Sequence, residues 1–420
     1  MYKNEVKVPV LGMVDDVLCV AKCGSDAVLS NSTINAFMEL NKLKLASHKC
    51  AKIHIGKHNL PCPEYKIHEE KLLNSHAEKY LGDVISEKGT LDETIQQRKL
   101  KGYSYIAEIR ALLSDMPFGH RRVEVGLLLR DAMFVNGILC NSEAWHSIKK
   151  KHIEELEVMD RSLLRYILKA HSKVQTEFLY LETGALRIEQ IISSRRLMYL
   201  QTILKRPDDE LTKRVYNCQK KNTSEGDWCQ MVKKDMESLS IGMTEEEIKE
   251  ESKSSFKTKV KHKINEYTFS ALLKEKNEHS KVKNIIYKSL KTQSYLKTHL
   301  LNNQEVSLLF ALRSKTSKHF KANFPYFTEQ MCPMGCLEED TQEHAMLCVA
   351  INPISSRNQN IVYEDIFNDD INIQAAVTKL FSTLLERRED ANAEVIGPIN
   401  CSGDPGQCDD PDICTHCIDV

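Results

Sequence analysis

Short runs in which apolar and polar residues alternate occupy roughly the first ninety positions, and longer runs with helical spacing follow. Val6, Val8, Val10 and Leu11 lead into Met13-Val14-Asp15-Asp16, and Val17, Leu18, Val20 and Ala21 lead out. This predicts a hairpin with two adjacent carboxylates at or near its tip. One helix is predicted after it, capped by Ser30 or Ser32 and burying Ile34, Phe37, Met38 and Leu40 or Leu45. Strands are expected over 52–56, 65–68 and 80–86, with Pro61-Cys62-Pro63 as a rigid loop between the first two. Residues 1–89 therefore read as an α+β region with at least one unpaired sheet edge.

From 90 to 206 the period is helical. Ile95, Tyr103, Ile106, Arg110 and Leu113 mark one stripe, with Val125, Leu128, Ala132, Val135 and Leu139 a second. Ile153, Leu156, Met159, Leu163 and Ile167 mark a third, and Leu197, Leu200 and Leu204 close a fourth before Pro207. Pro117-Phe118-Gly119 separates the first two. Residues 207–252 are polar, with an acidic run at 245–251, and read as a linker or loosely packed helices. A basic helical region at 253–330, a compact cysteine-bearing segment at 331–349 and an acidic helical tail at 350–420 complete the chain.

The 420 residues suffice for several buried cores. A net charge of −1 conceals an asymmetry: the part from Met334 onward carries 17 acids against 4 Lys or Arg, which leaves the rest strongly basic. A basic body suits a nucleic-acid partner. Residues 253–297 hold 12 lysines against 3 glutamates, with Phe256, Tyr267, Phe269, Tyr287 and Tyr295 interleaved. They fit either a surface for phosphates and unpaired bases or amphipathic helices with buried aromatics and solvated lysines. The 14 cysteines are unevenly spaced, unlike a small secreted disulfide framework. With no long apolar run and no signal peptide, an intracellular protein, nuclear or cytoplasmic, without a membrane role is expected.

Cys332, Cys336, His344 and Cys348 spell C-x3-C-x7-H-x3-C. Two cysteines on a tight turn can share an ion, and a His and Cys four apart on a helix can complete a tetrahedral set. Three thiolates and an imidazole suit structural Zn2+. Cys401, Cys408, Cys414 and Cys417 offer a second set, in an acidic, Gly- and Pro-rich setting equally suited to disorder.

The acid pair is followed by Asn41-Lys42-Leu43-Lys44-Leu45, His48-Lys49-Cys50, Ile53-His54-Ile55-Gly56 and then Tyr80-Leu81-Gly82-Asp83. In this order they resemble the C-terminal palm of reverse transcriptases from non-long-terminal-repeat (LINE-like) retroelements. Asn141-Ser142-Glu143-Ala144-Trp145 and the helix after it are similar to the region beyond the thumb in that family, and the Cys-Cys-His-Cys set is similar to its knuckle. The resemblance spans about 6–206 and returns near 332. It implies a palm fragment at 1–89 and a helical thumb at 90–206. It further implies two-metal nucleotidyl transfer on an RNA template and a DNA primer, with Asp15 and Asp16 holding Mg2+ and Lys49 beside the departing pyrophosphate. Tyr80, Leu81 and Gly82 would place the primer end, and Lys99, Lys101 and Arg110 would hold the duplex backbone.

Two departures qualify this. Met13 stands where the family usually has Tyr or Phe. The fingers and an earlier palm strand with another metal-binding aspartate are not among these residues, so the chain is expected to be a retrotransposon RNA-directed DNA polymerase fragment, inactive alone. The rival expectation is a zinc-containing nucleic-acid-binding protein without enzymatic activity. A third is a helical scaffold with no nucleic-acid role.

Overall fold

The computed structural model describes residues 10–13, 16–56, 65–67, 70–221, 224–278, 282–323, 330–354 and 360–395. Asp15, the 61–63 loop and Cys401, Cys408, Cys414 and Cys417 lie outside them. The described chain is mainly helical with a few small sheets, and no helix in it is long and apolar enough to cross a membrane.

The strands are β1 (Val10–Met13), β2 (Asp16–Cys19), β3 (Ala51–Lys52), β4 (Lys66–Ile67), β5 (Glu70–Lys71), β6 (Leu73–Asn74), β7 (Ala77–Tyr80) and β8 (Asp83–Ser86). The helices up to the linker region are α1 (Gly24–Leu40), α2 (Asp92–Leu113), α3 (His120–Leu129), α4 (Asn136–Ile138), α5 (Lys150–Ile167), α6 (Thr176–Thr183) and α7 (Ile188–Leu204). Then come α8 (Leu211–Lys221), α9 (Trp228–Ser238), α10 (Glu245–Glu250), α11 (Lys253–Glu278), α12 (Asn303–Arg313), α13 (Gln342–Leu347) and α14 (Ile371–Val395). Two compact units divide them. One is Met1–Asp115, Gly126–Tyr166 and Ala185–Leu272, and the other Met116–Val125, Ile167–Gly184 and Leu273–Val420.

In the first unit, β1 and β2 form the expected hairpin, with Met13 opposite Asp16. β3 pairs in parallel with β6, β4 antiparallel with β5, and β7 antiparallel with β8. The strand expected over 52–56 shrinks to β3. That expected over 80–86 is the second half of a hairpin. α1 begins at Gly24, so Ser30 and Ser32 are interior residues, and Ser32 Oγ donates back to the Val28 carbonyl at 3.0 Å. No side chain of α1 is buried, and Phe37 and Leu40 are 56 % and 83 % exposed. The helical period is present, but the partner it implies is not among the described residues. Polar bonds tether α1 instead: Asn31 and Asn35 donate to the Lys66 carbonyl at 2.8 and 3.1 Å.

α2 buries Ile95, Ile106 and Leu113 as its stripe predicts, with Ile109 beside them, although Tyr103 and Arg110 are exposed. The second stripe departs more. α3 passes through a π turn at Arg130–Val135 before α4, and Leu128 and Ala132 are exposed while Phe134, Val135, Ile138 and Leu139 are buried. A π turn inserts one residue, which rotates the buried face away from a simple helical period. It also points Arg130 inward, where Nε and Nη2 donate to the Asp160 carboxylate at 2.6 and 2.7 Å and Nη2 donates to the Leu186 carbonyl at 2.8 Å.

The region 207–252, expected as a linker or loosely packed helices, contains α8, α9 and α10. Tyr216, Trp228, Val232, Leu239 and Ile248 join Leu197, Leu200, Leu204, Phe256, Val260 and Ile264 in one core. Trp228 meets Tyr199 and Tyr216 edge-on at 5.9 and 6.1 Å, and its Nε1 donates to the Glu143 carbonyl at 2.7 Å. Each helix contributes only one or two anchors, so their spacing is too wide to register as an apolar period.

The second unit is organised on Glu182, fully buried at the end of α6. Tyr287 and Tyr295 hydroxyls donate to its two oxygens at 2.6 Å each, and Arg313 of α12 donates from Nη2 at 2.8 Å. Burial, then the Glu182 charge, pushes both tyrosines well above the ordinary phenol range. Gly184 follows at φ +68°, and a Cβ there would lie 2.5 Å from the Lys291 carbonyl carbon, so glycine is required by both conformation and space. α14 closes the core with Val377, Phe381 and Leu384, and Phe320 meets Phe381 edge-on.

Candidate metal centre and presented hairpin

Cys332, Cys336, His344 and Cys348 converge in the second unit, their ligating atoms all within 4.8 Å of one another. Local structure sets this up. Met331 bridges Glu339, the Cys332 N–H donates to the Glu338 carbonyl at 2.8 Å, and Gly335 takes φ +75° to turn the chain between the first two cysteines. Thr341 caps α13 by accepting from the His344 N–H at 2.9 Å, and Cys348 ends it with its N–H on the His344 carbonyl. The segment is pinned by Asp340, whose buried carboxylate accepts from both Nη atoms of Arg388 on α14 at 2.7 and 2.8 Å and from the Lys321 N–H at 2.9 Å. Gln342 donates to the Leu312 carbonyl at 3.0 Å, and Asn352 to that of Met346 at 2.7 Å.

Cys336 and Cys348 sulfurs lie 3.5 Å apart, near the separation of roughly 3.8 Å that two thiolates at about 2.3 Å from a tetrahedral ion would have. His344 Nε2 is buried without a hydrogen-bond partner among the described residues. A buried imidazole nitrogen without a partner, on a histidine whose ligating atom lies within 4.8 Å of three sulfurs, is what a ligand set requires. Hydrogen bonding to Cys348 and burial push the Cys336 thiol up to about 12, and burial raises Cys332. Burial works against Cys348 too, but the hydrogen bond from Cys336 and the N–H groups of Ile351 and Ala350 outweigh it and hold it lower. The four residues can hold a metal ion, and three sulfurs with one nitrogen fit a closed site.

In the first unit the structure presents Tyr80, Leu81 and Gly82 at the turn of the β7–β8 hairpin. Tyr80 pairs with Asp83, while Leu81 and Gly82 have φ of +48° and +96°. Such two-residue turns favour Asn-Gly or Asp-Gly, so leucine at the first position is strained. Leu81 is nonetheless 47 % exposed. The turn is held from behind. Arg98 donates to Asp83 at 2.7 Å and to the Cys140 carbonyl at 3.0 Å, Asn141 donates to the Leu81 carbonyl at 2.9 Å, and Thr94 bonds Val84.

The remaining candidates are carried by β2, a 3-10 turn and α2. Asp16 is exposed in β2, and Lys49 is exposed in a short 3-10 turn over Ser47–Lys49. Lys99 pairs with Glu155 of α5 at 3.1 Å. Arg110 donates to Ser162 at 3.2 Å and lies over the Tyr166 ring. Lys101 is exposed. Of the aromatics in 253–297, Phe256, Tyr287 and Tyr295 are buried, whereas Tyr267 is 42 % exposed. Sequence reasoning missed Arg98 and named Asn141 only within the stretch resembling the region beyond the thumb, because an arginine in a helix and an asparagine in a loop carry no signal of what they hold. Compared with known proteins, the chain matches no family model, no curated protein and no solved structure.

Proposed function

We propose that the chain is the palm-end and thumb part of a reverse transcriptase of a non-long-terminal-repeat retroelement, carrying a structural zinc knuckle. The observation that supports this most is the β7–β8 turn: a strained, exposed Leu81 beside Gly82, fixed from behind by Arg98 and Asn141. Strain maintained at a supported, solvent-facing turn fits a surface that positions something, here a primer end. In this proposal Asp15 and Asp16 hold Mg2+, which neutralises triphosphate charge when bound. Lys49 serves the departing pyrophosphate, and Gly82 lets the primer backbone approach closely. Lys101 contributes to duplex binding, with Lys99 and Arg110 spacing α2 from α5. Zn2+ at Cys332, Cys336, His344 and Cys348 stabilises a segment in which, ligands aside, Ala345, Met346 and Ile351 are the buried hydrophobic side chains.

The residues at hand supply the carboxylates of one palm strand, and two-metal transfer needs another. The chain alone is therefore expected to bind template–primer without extending it. A primer-extension assay with Mg2+, beside an Asp15→Asn control and a gel-shift on the same substrate, tests this. Template–primer binding that falls on Leu81→Ala is expected. Binding indifferent to Leu81 and to Lys101→Ala would refute the proposal, and Asp15-dependent synthesis would refute the need for another strand.

A second proposal, a nucleic-acid-binding protein without catalysis, is favoured by α11. It turns Phe256, Val260, Ile264 and Leu272 inward and leaves Lys253, Lys257 and Lys261, four apart, exposed. Such a row suits phosphate contacts, and binding would weaken steeply with salt.

A further inference from the structure

The outer surface of the cysteine–histidine segment has a composition that its core does not explain. Four apolar residues stand next to a ligand in sequence: Met331 before Cys332, Leu337 after Cys336, and Leu347 and Val349 on either side of Cys348. All four are exposed, Leu337 at 92 %. Each is bonded directly to a ligand residue, so its Cα lies about 3.8 Å from a ligand Cα, within the small segment built on the four ligating atoms. Ile354, 73 % exposed, follows closely in sequence. Single exposed apolar residues are ordinary, but a cluster of them on a locally constrained segment marks a contact surface.

Charge decides the partner. Between 330 and 354 there is no Lys or Arg, and the exposed charges are Glu338 and Glu339. Three cations that reach the segment are engaged: Arg388 on Asp340, Lys315 on Glu343 at 3.1 Å, and Arg387 on the Ile351 carbonyl at 3.1 Å. An acidic, apolar face repels a phosphate backbone or an anionic membrane and complements a cationic segment with an apolar stripe. We propose that this face of the knuckle docks a basic amphipathic helix of a protein partner. This goes beyond the polymerase proposal and does not require it, only that the segment be folded.

The full chain, zinc-loaded, is titrated by fluorescence anisotropy against a labelled helical peptide with one Leu face and one Lys face, against its Glu-for-Lys counterpart, and against a single-stranded oligonucleotide. The Lys peptide is expected to bind and the Glu peptide not to. Leu337→Ser, and separately Glu338→Lys with Glu339→Lys, should each weaken Lys-peptide binding by about tenfold. Leu337→Ser should leave oligonucleotide affinity unchanged. Val349→Ser is the second variant should Leu337→Ser alter zinc content or thermal unfolding. No Lys-peptide binding, binding indifferent to these variants, or oligonucleotide binding that falls with Leu337→Ser or Val349→Ser would each overturn the proposal.

Discussion

Asn141 donates its side-chain amide to the carbonyl of Leu81 at 2.9 Å, joining two residues that both adopt left-handed backbone, at φ +63° and +48°. Asparagine tolerates that conformation and leucine does not, so the strain sits on the exposed member of the pair.

Leu81→Asn should therefore stabilise the first unit by roughly 1 kcal/mol while weakening template–primer binding. Asn141→Ala should destabilise it by about 1 kcal/mol. Urea unfolding gives the first pair of outcomes and gel-shift the other. If Leu81→Asn raises stability and binding together, the turn is not a positioning surface.

In the second unit, Glu182→Gln should cost about 3–5 kcal/mol, because Arg313 remains buried without its counter-charge. Replacing both by methionine should recover much of that loss. Denaturant midpoints of the single and double variants check it, and equal losses in the two would show that packing and not charge is at stake.

Removal of metal should lower the thermal midpoint of the second unit, and Cys348→Ser should reproduce the loss. Elemental analysis should find one zinc fewer per Cys348→Ser chain than per wild-type chain. Equal zinc content in the two would exclude this ligand set.

Stability of the first unit should fall as pH rises from 4.5 to 7, through Glu157. Burial raises its carboxyl from an ordinary 4.5 to about 7, against the opposing charges of Arg187 and Arg161. The folded state binds the proton more tightly than the unfolded chain, so the stabilisation is complete below about 4.5 and is lost by about 7. Glu157→Gln should flatten the profile in that window and be more stable than wild type above it. Chemical denaturation across pH measures both.

The local pattern of residues was enough to expect the acid-bearing hairpin, most of the α2 and α5 stripes, and the Cys332, Cys336, His344 and Cys348 set. Each depends on short-range spacing, which alternation, helical period and ligand geometry read directly. The tertiary structure alone decided the rest. The π turn that draws Arg130 onto Asp160 and the sparse anchors that fold 211–250 into a core have no local signature. The Glu182 cluster joins residues more than a hundred positions apart. Buried charges are stabilised only by partners the fold brings to them, and no spacing rule within one segment can name those partners.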